Sequence, residues 1–160
     1  MKTILFLLSL LISLSLRAAD PLRPNPRLTP GATTNVDVEI LLQPGYTKKV
    51  RHVPAATKKQ VFIAYFGRVP AHPGHYEIDH LISLELGGSN DIKNLWPEGY
   101  FTAPFDAKMK DKLEDKMHLL VKADLKAHGK ASATRLLKKF QHEIATDWVA
   151  AYHQYVSPRP

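Results

Sequence analysis

The chain contains no cysteine. No disulfide can staple it, and no thiolate can ligate a metal; any metal must be held by Asp, Glu, Asn or His. Negative charge is also short, with 15 Asp+Glu against 22 Lys+Arg and a net charge of +7. That balance disfavours polycationic partners and favours polyanions, either nucleic acid or an anionic membrane surface. Long apolar runs are missing after the first twenty residues, and every later segment is too charged to span a bilayer. There is no internal repeat and no low-complexity tract.

The one apolar run is N-terminal, "MKTILFLLSLLISLSLRAAD". Lys2 supplies a positive start, Ile4 to Leu14 an apolar stretch, and Ala18 and Ala19 the small residues before Asp20. Residues 1–19 therefore read as a secretory signal and the mature chain as exported, periplasmic or secreted. Leu16 or Arg17 falls at the −3 position, so an uncleaved anchor is the alternative. Cleavage removes Lys2 and Arg17 and no acid, and the mature chain stays basic.

A length of 160 residues suits one domain. Residues 20–35 hold Pro21, Pro24, Pro26, Pro30 and Gly31 and read as an extended linker or a poorly ordered arm. The folded domain is expected over residues 36–156. Residues 36–42 alternate apolar and acidic, which suggests an edge strand, and residues 43–45 turn the chain. Residues 55–67 read as a short helix with Val61, Ala64 and Tyr65 on one face and Gly67 as its cap. Residues 75–86 have strand character, residues 87–90 make a turn, and residues 92–97 form a second extended segment stopped by Pro97 and Gly99. From Asp106, a fair N-cap, the period becomes helical, with Met109, Leu113, Met117, Leu120 and Val121 in one stripe. A last helix over residues 132–152 buries Leu136, Leu137, Phe140, Ile144, Trp148 and Tyr152. The fold class is α+β, with a strand–turn–strand–helix unit at its centre and flanking helices.

That unit carries the chemistry. His80 is a candidate general base, because a neutral imidazole accepts a proton near pH 7. Asp79 beside it is a hard oxygen donor suited to Mg²⁺. Such a pair is common and weak by itself. The longer pattern "EIDHLISLELGGSNDIKNLWP" resembles the HNH, or ββα-metal, endonucleases: Asp-His, an apolar residue, a Gly-Gly turn, then Asn-Leu. "KDKLE" (residues 110–114) resembles the charged helix that follows in an exported bacterial and phage-like branch, and "IATDW" (residues 144–148) its closing helix. The likeness covers residues 61–155, with its core at 76–118.

The resemblance implies a ββα-metal core and a metal-dependent endonuclease acting on DNA, or RNA as well, leaving 5′-phosphate and 3′-hydroxyl ends. His80 would activate water, Asp79 would ligate the metal, and Asn94 would steady the hairpin loop and with it the histidine. The remaining ligand falls by spacing on Asp106, where the family has His or Asn. Asp111 is its rival, with Glu114 and His118 behind. The cofactor implied is Mg²⁺, with Mn²⁺, Ni²⁺ and Zn²⁺ as alternatives. Arg68, Lys108, Lys110 and Lys112 are candidate phosphate contacts, or only solubilising charges. Gly87 and Gly88 serve the turn, and Asn90 is expected to bond within it. Glu77 and Glu85 are expected in salt bridges, Trp96 and Trp148 in the core, and His72 and His75 on the surface. A non-catalytic nucleic-acid-binding protein on the same fold is the second reading, and an envelope structural protein the third.

Overall fold

The computed structural model describes residues 23–157; the signal assigned to residues 1–19 lies outside them. The architecture is mixed α and β, with five α-helices and one two-stranded antiparallel sheet among the described residues.

Strands β1 (Tyr76–His80) and β2 (Leu95–Gly99) pair from Tyr76↔Gly99 to His80↔Leu95. β2 runs through Pro97 and ends at Gly99, so of the two expected stops only the glycine acts as one. Tyr100 N donates to His75 O and Leu81 N to Asn94 O, so the hydrogen-bonded pairs are every second one outward from these. Pro97, opposite Ile78, takes a pair that exchanges no N–H, and its missing donor costs nothing there.

β1 is shorter than its apolar run. After His80, the residues Leu81, Ile82, Leu84 and Leu86 are all buried, which a strand with one solvated face does not allow. Leu84–Leu86 coils into a 3₁₀ turn capped by Gly87 at φ +78. The strands are thus joined by a folded connection over residues 81–94, not a tight turn. Gly88 is required there by close approach: a Cβ on it would lie 1.7 Å from Ile82 O.

The edge strand expected at residues 36–42 is helix α1 (Val38–Leu41). The Asp37 side chain accepts from Glu39 N, and Val38 and Leu41, three apart, are both buried. A cap plus one helical repeat outweighs a two-residue alternation. Helix α2 (Tyr46–Val50) follows. Helix α3 (Ala55–Phe66) ends at Gly67, φ +71, as its sequence suggests; it buries Val61 and Phe62, while Ala64 is exposed.

Helix α4 (Ala107–His128) starts at Asp106, which accepts from Met109 N at 3.1 Å. It packs Leu113, Met117 and Val121 against Leu137, Phe140, Ile144 and Trp148 of helix α5 (Lys130–Tyr155). Leu136, expected on that face, is only half-buried. α5 breaks at Asp147, φ −161 and ψ 93, whose Oδ1 accepts from Val149 N and Ala150 N and caps the final turns. Trp96 and Trp148 are core residues.

The proline-rich segment is neither a linker nor loose in its described part. Gly31 N donates to Lys93 O, Thr34 N to Gly87 O, and Ser89 N to Ala32 O. Thr29 Oγ1 donates to Leu95 O at 2.8 Å, and Arg23 pairs with Asp147. An extended chain leaves its backbone donors and acceptors free, and the 81–94 connection takes them up. The folded unit therefore begins before residue 36.

Candidate functional site

His80 closes β1 and is 1 % exposed. Nε2 lies 3.1 Å from Asn90 Oδ1. An amide oxygen only accepts, so Nε2 carries the ring proton and Nδ1 keeps the lone pair. Burial lowers the His80 pKa, more than the Asn90 bond and the Asp79 charge raise it; Arg51 and Lys110 add to the lowering. The ring is neutral at pH 7.

Asn90 does not bond within its own turn as expected. Its Nδ2 donates to Val50 O at 2.8 Å and its Oδ1 accepts from His52 N at 3.1 Å. It ties the connection, the ring and the segment after α2 to one another. Asn94, fully buried, donates from Nδ2 to Ile82 O and Ser89 O and accepts on Oδ1 from Ile82 N and Ala32 N. These bonds close the 81–94 connection across its base and anchor the N-terminal strap to it.

Asp79 meets Lys110. Lys110 Nζ lies 2.6 Å from Asp79 Oδ2, 2.8 Å from His80 O, and in contact with Glu114 Oε1. An ammonium has three donors, and these three acceptors use them all. Lys110 is fully buried, which corrects its assignment as a phosphate contact: neither its charge nor its protons face solvent.

Glu98 on β2 joins this cluster. It is 3 % exposed, and its Oε1 has no hydrogen-bond partner among the described residues. Burial first, and then the Asp79 charge against the opposing pull of Lys110, pushes its carboxyl up to about 9. Burial likewise takes Glu114 to about 8, although Lys110 opposes it. Burial would raise Asp79 as well, but the charge and hydrogen bond of Lys110 win and hold it below the usual carboxylate range. The cluster thus sets three carboxyls around one ammonium, with burial raising Glu98 and Glu114 and Lys110 holding Asp79 down.

This donor set does not fit the divalent ion that the motif implies. The Asp79 carboxylate is engaged by Lys110, and Asp106 uses Oδ1 as the α4 cap. Among the described residues, no three His, Asp or Glu side chains gather into a metal-binding group. Asp111, the rival ligand, is raised by burial and then by the Asp79 charge. It lines a cleft of about 290 Å³ with Thr47, Arg51, Glu85, Glu114 and Asp115.

Arg51, just beyond α2, is exposed, and its charge acts on both His80 and Glu77. It forms no ion pair among the described residues, and nothing in the local sequence marks it. Arg68, Lys108 and Lys112 are exposed and unpaired in the same sense. Glu77 and Glu85 make no salt bridge among the described residues; burial raises both carboxyls. His72 and His75 are exposed, their rings stacked at 5.2 Å.

No family model matches the chain, and neither a curated protein nor a solved structure does.

Proposed function

We propose that the chain is an exported endonuclease of the HNH type that hydrolyses phosphodiester bonds of DNA, with RNA in the same substrate class. The observation that carries this reading is the His80–Asn90 bond, which presents a neutral imidazole with Nδ1 as its acceptor. The order β1, connection, β2, α4 supports it as the arrangement a ββα unit needs, and Asn94 holds the connection as the motif implies. The net positive charge suits a polyanionic substrate.

In this reading Nδ1 takes a proton from water as the water oxygen bonds to phosphorus. The P–O3′ bond breaks, the 3′-oxygen leaves and is protonated from solvent, and the products carry 5′-phosphate and 3′-hydroxyl ends. Arg51 faces the phosphate charge beside the base. In this reading the partner of the Asp79 carboxylate is Lys110, not a metal. The near-complete burial of the ring requires the 50–52 segment, which shares Asn90 with it, to part before water and phosphate reach Nδ1.

The same burial favours a second reading, a non-catalytic basic nucleic-acid-binding protein in which His80 is a structural ring. Plasmid nicking and gel-shift binding by the mature chain, in several divalent metals and in EDTA, separate the two. Cleavage supports the first; binding with intact DNA throughout supports the second.

A further inference from the structure

Three acceptors converge on one buried cation at this site, and two of them come from the stretch that carries the base. One is the Asp79 carboxylate and one the His80 carbonyl; the other is Glu114, one helical turn beyond Lys110 on α4. The carbonyl is backbone in β1 and cannot swing away. A buried ammonium stripped of its partners is costly, because the whole desolvation penalty is then uncompensated. A second cation arriving at Asp79 must therefore either share a carboxylate with a fixed charge or strip a fully buried Lys110 of its partner.

We infer that Lys110 is the resident cation of this site: its ammonium holds Asp79 where the motif implies a divalent ion, and the chain uses no divalent ion on Asp79. This rests on the nuclease reading only for the chemistry that Asp79 would otherwise serve; the occupancy itself is a property of the folded chain. Lys110 touches no substrate. It positions Asp79 and the end of β1, and so the backbone that carries His80. Glu98, buried with one oxygen unpartnered, adds a third carboxyl around the same cation, so the cluster is a cation pocket whose occupant is supplied by α4.

The test uses the metal-stripped mature chain and two readouts. In the first, Lys110 is compared with Lys108 and Lys112 by acetylation and peptide mass spectrometry, with and without Mn²⁺. Lys108 and Lys112 should label and Lys110 should not, and about 1 mM Mn²⁺ should leave the pattern unchanged. In the second, Mn²⁺ binding is measured by calorimetry for wild type and Asp79→Asn, and the two should not differ. Labelling of Lys110 that appears when Mn²⁺ is added overturns the inference. So does stoichiometric Mn²⁺ binding that Asp79→Asn weakens by about tenfold or more. Asp79→Asn removes a partner of a buried charge and can unfold the chain, and for that case the wild-type labelling decides alone. Absence of DNA cleavage contradicts the nuclease reading, whereas these two measurements still decide the occupant of the pocket.

Discussion

Asn90 Oδ1 lies 3.1 Å from His80 Nε2 and accepts from His52 N as well, while the same amide donates to Val50 O. One side chain thus fixes the tautomer of the ring and holds the segment that carries Arg51 next to it. A histidine whose second nitrogen is fixed in this way is prepared for one role only, that of acceptor at Nδ1.

Asn90→Ala should lower kcat by about 100-fold, in the range of a misoriented general base, with a smaller change in KM. The Asn90 bond raises the His80 pKa against burial, so its loss should also move the acid limb of the rate profile to lower pH. A role confined to folding would not shift that limb; pH–rate profiles of both proteins check it.

Wild-type cleavage should be flat around pH 7 and fall only on acidification. His80 acts as a base when neutral, and burial lowers its pKa from the ordinary imidazole value of 6.5. The midpoint of the acid limb in kcat/KM should therefore lie below 6.5. A midpoint above it points to a different base.

Lys110→Ala should destabilise the fold by about 3–5 kcal/mol, the usual cost of breaking a buried ion pair and leaving one partner behind. Lys108→Ala and Lys112→Ala, exposed on the same helix, should stay within about 0.5 kcal/mol of wild type. Urea denaturation of the three variants distinguishes a buried lysine from two solvated ones.

Much of the scaffold is legible in the linear pattern, and the reasons are local. α3, α4 and α5 follow from an apolar stripe at helical spacing with Gly67 and Asp106 at their ends, signals that depend on neighbours a few residues away. Lys110 is not legible. It sits in a run of alternating charges, and Lys110 with Glu114 reads as an ordinary surface pair four residues apart. Only Asp79, supplied by β1, makes that position interior. Asn90 likewise looks like a turn residue, because its partners Val50 and His52 are some forty positions away. The strap before residue 36 was obscured by its prolines, which mark an extended chain but not what it lies against.

Glu98 should make stability fall as pH rises. Its folded pKa, about 9 against 4.5 for the free side chain, means that the folded state keeps a proton the unfolded state has released. The folded state thus binds more protons between those values, and stability is lost progressively across that window. Glu98→Gln removes the titration, so its stability relative to wild type should increase from about pH 5 to about pH 9. Melting curves of the two that run parallel over that range would place the proton elsewhere.

Whether His80 is the base of a phosphodiester hydrolase is decided by plasmid nicking with wild type and His80→Ala. Folded wild type should nick the plasmid, and His80→Ala, equally folded by circular dichroism, should do so at least about 100-fold more slowly. Equal rates in the two proteins, or intact plasmid with wild type in every divalent metal and in EDTA, would contradict it.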